Sequence, residues 1–320
     1  MRSWANLIFL VLAVSGVSAY SAKCPADEVI SPCGCDDSDE EFSLILSCDR
    51  DISYSHLRNV LDTVKGIDNI AVQLDEINLG VLASDFFEGL RIKKLDISHC
   101  NLISLTDVTG PALRGLEDTL EELEIMASFK EDYSATKLDL SHMRRLKKLD
   151  MSHNDINELG NDWFAYGPVS LHTLILSNNG IRKLGDRAFA SLYNLKVLHL
   201  DGNRFGSVKR SMLPYPAHYL SDVKLDDNDL LSIPEDFFIY MPALRTLSLR
   251  KNMITQLPRK TWEPIWQSLE DIHLDDNPLV CDSHIEWMFY TRTYANIYGK
   301  CQSPPEKDGF ALRDVIEGRH

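Results

Sequence analysis

The chain has 320 residues, 44% of them hydrophobic, with seven cysteines and a formal charge of −15. That balance suits one or two globular domains and excludes disordered or collagen-like sequence. With 48 acidic against 33 basic residues there is no general electrostatic footprint for nucleic acid or an anionic membrane, and neutral or basic partners are favoured.

At the start, Met1-Arg2 supplies a positive charge, Leu7 to Val14 is continuously apolar, and Val17-Ser18-Ala19 offers small residues for cleavage. Residues 1–19 are therefore predicted to be a signal peptide, too short in its apolar run for the roughly 20 residues of a membrane span. No second run of spanning length follows, and the end Glu317-Gly318-Arg319-His320 is polar, which predicts a secreted, extracellular protein without a membrane anchor.

Cys24, Cys33, Cys35 and Cys48 crowd the predicted mature start, Cys281 and Cys301 lie near the end, and only Cys100 falls between. Zinc competes with disulfides as an explanation of the first four. An oxidising compartment and the Cys33-Gly34-Cys35 spacing, which is not that of a Cys-x-x-Cys knuckle, favour disulfides. The ends at 20–66 and 280–320 are read as cysteine-stapled segments flanking a different middle.

That middle repeats. Leu146, Leu149, Met151, Asn154, Ile156 and Leu159 set a pattern that recurs with starts at 171, 195, 220, 244 and 269, at intervals of 24 or 25 residues. Such regularity is the mark of a leucine-rich-repeat array. In each unit the Leu-x-Leu pair predicts a short strand with alternate side chains in the core, and the strands stack in parallel. The asparagine that follows, at 154, 179, 203, 228, 252 and 277, can satisfy buried backbone groups of neighbouring turns. An aromatic further along, Phe87, Phe164, Phe189, Phe238 or Trp262, is spaced to pack in the outer core.

Towards the N-terminus the register loosens, with units at Val72-Leu74-Ile77 and Leu95-Ile97-Cys100, where Ile77 and Cys100 replace asparagine. Cys100 is read as a buried ladder thiol with a weak donor. Leu120, Leu123, Ile125 and Ser128 form a degenerate unit, and Leu138 and Leu140 lie too close to the next strand to start another, so they are assigned to the convex side. About nine repeats occupy 67–279. The predicted fold is an α/β solenoid, a horseshoe with a concave parallel sheet on the order of 40 Å long at ~4.8 Å per strand. Both ends of such a stack need covering.

Cys24-Pro25, then Ile30-Ser31-Pro32-Cys33-Gly34-Cys35 and Cys48 resemble the N-terminal cap of extracellular leucine-rich-repeat proteins. The resemblance implies Cys24–Cys35 and Cys33–Cys48 bridges. Asn277-Pro278-Leu279-Val280-Cys281, Trp287-Met288 and Cys301 resemble the family's C-terminal cap in a reduced, two-cysteine form, which implies a Cys281–Cys301 bridge. Within that family the layout resembles the non-catalytic subunits of Oplophorus-type shrimp luciferases. This implies a protein partner, a smaller catalytic subunit that oxidises coelenterazine, and a binding and stabilising role for this chain. The alternative is a free extracellular recognition or matrix protein that binds a signalling ligand.

No nucleophile elbow, His-Glu-x-x-His, phosphate-cradling glycine loop or zinc-knuckle pair occurs, so the chain is expected to be non-catalytic and to need no cofactor. His99, His142 and His153 do not share a register, and Asp226-Asp227 and Asp275-Asp276 lack a loop's oxygen cage, so neither set predicts a metal. Function is left to the outward strand residues. Gln73, Asp96, Glu124, Asp150, Ile175, His199, Lys224, Ser248 and His273 form one column. Asp75, Ser98, Met126, Ser152, Ser177, Asp201, Asp226, Arg250 and Asp275 form the next. Asp75, Asp96, Glu124, Asp150, Asp201, Lys224, Asp226 and Arg250 are the candidate partner face, acidic in its first half and expected to steer a basic partner there. Tyr290, Tyr294 and Tyr298, four apart, would line one stripe of a helix in the core of the C-terminal cap. There is no Asn-x-Ser/Thr sequon, so N-linked sugar is not expected on either face.

Overall fold

The computed structural model describes residues 23–107, 109–129, 139–161, 163–291 and 293–319. The expected leader at 1–19 and Leu138 lie outside them. Twelve strands form one sheet. In chain order they are Gly34–Asp36, Leu44–Cys48, Asp68–Asp75, Arg91–Ser98, Glu122–Met126, Lys148–Asp150, Thr173–Ile175, Val197–His199, Asp222–Lys224, Thr246–Ser248, Asp271–His273 and Asn296–Tyr298. Only the first pair is antiparallel; every later neighbour is parallel and consecutive along the chain.

The register follows the leucines. Leu149, Leu174, Leu198, Val223, Leu247 and Ile272 stand side by side in neighbouring strands. All are buried, because alternate residues of a strand point to opposite faces and only this one points into the stack. The stack is longer than the repeats predict. Leu44–Cys48 and Asn296–Tyr298, both within the cysteine-rich ends, add strands in register, with Leu46 beside Val72 and Ile297 beside Ile272. A strand hydrogen-bonded to the last repeat satisfies that repeat's open edge as well as hiding its apolar section, which an apolar plug alone cannot do.

Units of 24 or 25 residues leave little room for a full helix on the convex side, and most of it is built of turns. Phe87, Phe164, Phe189, Phe238 and Trp262 are all buried there. Phe164 lies 6.1 Å from Phe189 and Phe238 lies 5.5 Å from Trp262, ring centroid to centroid. Between Phe189 and Phe238 the aromatic is missing and buried Met212 fills the row, its carbonyl accepting from the Phe189 N–H at 2.9 Å. Leu140 is likewise buried.

At the N-terminal end Cys24 is bonded to Cys35 and Cys33 to Cys48. The helix Tyr54–Asp62 begins at Ser53, whose hydroxyl accepts from the His56 N–H at 3.3 Å, and it turns Leu57, Val60 and Leu61 inward. At the other end Cys281 is bonded to Cys301. Trp287 stacks edge-on against Trp266 at 5.2 Å and donates its indole N–H to the Leu257 carbonyl at 3.0 Å. Leu312 and Val315 of the helix Leu312–Ile316 are buried and close this end. The expected tyrosine stripe is not there. Tyr290 ends the 3₁₀ helix Ser283–Tyr290 and Tyr298 ends a strand, so the spacing of four never acts on one helix; Tyr290 and Tyr294 are 86% and 91% exposed rather than core.

Candidate functional site: the outward face of the sheet

Behind each strand runs a ladder that holds the face in shape. The Asn154 N–H donates to Asn179 Oδ1 at 2.8 Å, and the Asn179 N–H to Asn203 Oδ1 at 3.1 Å. The Asn179 side-chain amide donates to the Met151 and Leu176 carbonyls, each at 2.9 Å. Asn203, Asn228, Asn252 and Asn277 repeat these bonds to carbonyls of their own and the preceding turn. All six asparagines are buried. Further towards the N-terminus Cys100 takes the same place, its thiol 3.4 Å from the Leu74 carbonyl. Ser128, not singled out from the sequence as a ladder residue, does more: its hydroxyl accepts the Cys100 N–H at 3.1 Å and reaches the Ile97 and Met126 carbonyls at 3.0 and 2.8 Å. Its position three residues after Ile125 was the available signal.

Before each ladder residue the chain turns through positive φ, at Glu76, His99, Ala127, His153, Asn178, Gly202, Asp227, Lys251 and Asp276. Only Gly202 escapes the steric cost of that conformation, and a Cβ there would also run into Asn178 Oδ1. The recurrence places the residue before each ladder position at one rim of the face.

The face itself departs from the acidic expectation. Glu124 is not an outward group available to a partner: its side chain is only 10% exposed, held by Lys148 at 2.5 Å and Lys94 at 3.3 Å. Burial pushes its carboxyl up, but the two lysines more than offset that and hold it below the usual range. Lys148 in turn is driven up by Glu124 against its own burial. Lys94 and Lys148 belong to a third outward column, one residue before the inward leucine, so the charge of Glu124 is neutralised within the face, while Asp75, Asp96 and Asp150 keep its first half acidic.

The other acids are also engaged. Asp96 Oδ1 accepts from the Ser98 hydroxyl at 2.5 Å, and Asp150 Oδ1 from the Ser152 hydroxyl at 2.6 Å. Asp201 accepts from Ser177 at 2.8 Å, and Asp226 from Ser248 and the Arg250 N–H, both at 2.6 Å. Burial raises the carboxyls of Asp96 and Asp226 in spite of these bonds. Asp75 meets His99 Nδ1 at 2.9 Å, and Arg250 approaches Asp275 at 3.7 Å.

The middle of the face is different. Ile175 and Val197 are half-buried on neighbouring strands, beside Thr173, His199 and half-buried Lys224. His199 Nε2 and Asp222 Oδ1, both buried, face each other at 3.4 Å and have no hydrogen-bond partner among the described residues. At the C-terminal edge His273 stacks on Tyr298 with centroids 4.5 Å apart. This central and C-terminal part of the face is thus more apolar and aromatic than the first half. Of the histidines considered for metal, His142 Nε2 lies 2.8 Å from the Ala112 carbonyl, and the three come to no common site. Among the described residues no group of three His, Cys, Asp or Glu could hold a metal ion, and no helix is long and apolar enough to cross a membrane.

The parallel register, the buried asparagine ladder and the disulfide-closed ends define a leucine-rich-repeat solenoid with cysteine caps. The leucine-rich-repeat family profiles match residues 145–166, 169–213 and 218–279.

The Oplophorus-luciferin 2-monooxygenase non-catalytic subunit of Oplophorus gracilirostris is 24% identical over 313 residues, covering 89% of this chain and 84% of that one. Chaoptin of Drosophila melanogaster is 32% identical over 178 residues, 55% of this chain and 13% of chaoptin. Osteomodulin of Bos taurus is 26% identical, over 63% of this chain and 45% of its own length. The chain thus spans well under two thirds of chaoptin and osteomodulin. Among solved structures a Leptospira interrogans leucine-rich-repeat protein aligns with a TM-score of 0.58 at 21% identity, over 78% of this chain and 59% of that one. A chain of the octameric complex of Latrophilin 3, Unc5D and FLRT2 aligns at 0.51 and 20% identity, over 80% and 69%.

Proposed function

We propose that this protein is a secreted, non-catalytic leucine-rich-repeat subunit that binds and stabilises a separate catalytic subunit, that of a coelenterazine-oxidising luciferase, through the central part of the outward sheet face. The observation that carries the reading is the similarity to the Oplophorus-luciferin 2-monooxygenase non-catalytic subunit, which runs over nearly the whole of both chains. Three disulfides support secretion, since such bonds persist in oxidising compartments. The face supports binding rather than chemistry: cofactor-free oxidation of an apolar substrate needs an enclosed, water-excluding site, and a filled solenoid presents an open sheet.

The competing reading, a free extracellular recognition protein, uses the same fold and the same face; the match to osteomodulin favours it, over a smaller share of both chains. Co-expression separates the two. The subunit reading expects this chain to co-purify with a small coelenterazine-oxidising protein and to extend the half-life of its light emission. Elution alone, with no effect on that half-life, sinks the reading. Light from the purified chain given coelenterazine would overturn the non-catalytic assignment.

A further inference from the structure

A second feature of the molecule lies away from the outward sheet face. It lies on the turns that link the strands Thr173–Ile175, Val197–His199, Asp222–Lys224 and Thr246–Ser248, off the sheet, where Arg187, Tyr193, Arg210, Leu213, Tyr215 and Asp236 line a cavity of 420 Å³. That volume falls within the range of small-ligand sites.

Its unusual member is Arg210. Only 6% of this residue is exposed. Its Nε donates to the Ile239 carbonyl at 2.8 Å and Nη1 lies 3.5 Å from the Leu213 carbonyl, but Nη2 is buried with no acceptor among the described residues. Asp236 lines the same cavity, yet no ion pair joins it to Arg210 among those residues. The Tyr215 ring covers the guanidinium at 5.0 Å and leans edge-on against Tyr240 at 5.2 Å. Burial lowers the arginine's pKa, with Tyr215 and Asp236 pulling the other way. A buried cation that leaves a donor unused is costly unless an acceptor arrives.

The walls say what that acceptor is attached to. Tyr193 and Tyr215 are 59% and 62% exposed, large rings open to solvent beside the buried Leu213. They offer faces and edges to another ring. The Asp236 carboxylate at the same cavity disfavours a dianion, and the two unpaired N–H groups of Nη2 suit a single carboxylate.

We propose that this cavity binds a monocarboxylate carried on an aromatic ring, the carboxylate accepting from Arg210 Nη2 and the ring lying between Tyr193 and Tyr215. Nη2 is buried, and the exposed Tyr215 ring lies over the guanidinium, so binding requires that side chain to turn aside. A free aromatic acid and the carboxylate of a chain ending in phenylalanine or tyrosine present the same chemistry. The site is separate from the sheet face and does not depend on the subunit reading.

The test is calorimetric titration of the intact secreted chain with phenylacetate and with phenylacetamide, and with a short peptide ending in Phe as free acid and as amide. Each acid should bind saturably and at least about tenfold more tightly than its amide, because the amide loses the charge-assisted bond. Arg210→Gln should abolish the preference for acid. Should that buried substitution prevent folding, the exposed Tyr215→Ser and Tyr193→Ser variants decide the matter, each weakening the acids about fivefold or more through loss of ring contact. Tighter capture of the peptide identifies a chain terminus as the ligand, tighter capture of phenylacetate a free acid, and both sustain the site. Equal binding of acid and amide, insensitivity to both tyrosine variants, or no binding up to about 10 mM, an affinity near 3 kcal/mol, overturns it.

Discussion

The repeats before residue 130 and those after 139 solve one problem in two ways. In the later group the strands are three residues long, and a buried asparagine in each unit completes the hydrogen bonding of the turn that follows. In the earlier group Ile77 and Cys100 stand at the asparagine's place, and there the strands Asp68–Asp75 and Arg91–Ser98 are eight residues long, with a second parallel pair, Asn78–Val81 with Asn101–Ser104, beyond the turn. Backbone-to-backbone bonds carry more of the work in the first group, beside the side chains of Cys100 and Ser128, whereas the second keeps a two-residue pair of this kind, Glu158–Leu159 with Lys183–Leu184, and relies on side-chain amides. Every buried N–H and C=O needs a partner, but the fold does not dictate whether that partner is a side chain or another strand.

The comparison can be broken by substitution. Asn179→Ala should cost roughly 3 kcal/mol or more, since it strands the Asn154 N–H and two buried carbonyls at once; urea melts would read it as a lower midpoint. Cys100→Ala, in the same place of an early repeat, should cost no more than about 1 kcal/mol beyond its lost packing, because a thiol at 3.4 Å contributes little. Equal losses for the two would refute the division.

Removing the Cys281–Cys301 bridge as a double alanine variant should cost roughly 3 kcal/mol for a 20-residue separation and loosen the strand Asn296–Tyr298 first, visible as earlier amide exchange there than in the central strands. Ser128 sits at the join of the two regions, and Ser128→Ala should fall between the extremes at about 2 kcal/mol, by the same melts.

The smallest effect concerns charge. Glu124 has its folded pKa lowered by Lys148 and Lys94, so its contribution is present above the unfolded value of about 4.3 and is lost as pH falls through the folded value. Glu124→Gln should therefore destabilise at pH 7 by about 1 kcal/mol and make no difference at strongly acid pH. A gap that stays constant with pH would show that the lysines stabilise through packing instead.

The regular half of this fold is legible in the sequence because leucine, asparagine and aromatic recur at one spacing, and the side chains that recur are those that face inward. Where a different residue carries out the same task the spacing falls silent: Ser128 holds a ladder place that serine alone does not announce, and the long strands around Ile77 replace a side-chain pattern with a backbone one. The strands at Leu44–Cys48 and Asn296–Tyr298 were hidden because cysteine spacing dominates those stretches. The face was less legible than the core. Three outward columns exist, and reading two of them leaves out Lys94 and Lys148, the residues that bury Glu124's charge. The spacing of Tyr290, Tyr294 and Tyr298 suggests one helix, but the segment changes conformation at Thr291 and the three never share one. The Arg210 cavity has no sequence signal, since its residues come from turns of consecutive repeats with no common spacing.

We propose that the middle of the sheet face, rather than its first half, docks the catalytic partner. It is tested most directly by the affinity of the co-secreted partner, measured by surface capture, for Ile175→Asp against Asp75→Asn. Ile175→Asp places an unpaired charge in the half-buried apolar patch and should weaken capture at least about tenfold, whereas Asp75→Asn at the far acidic end should change it less than about twofold. Unchanged capture by Ile175→Asp, or a larger loss from Asp75→Asn, would contradict it.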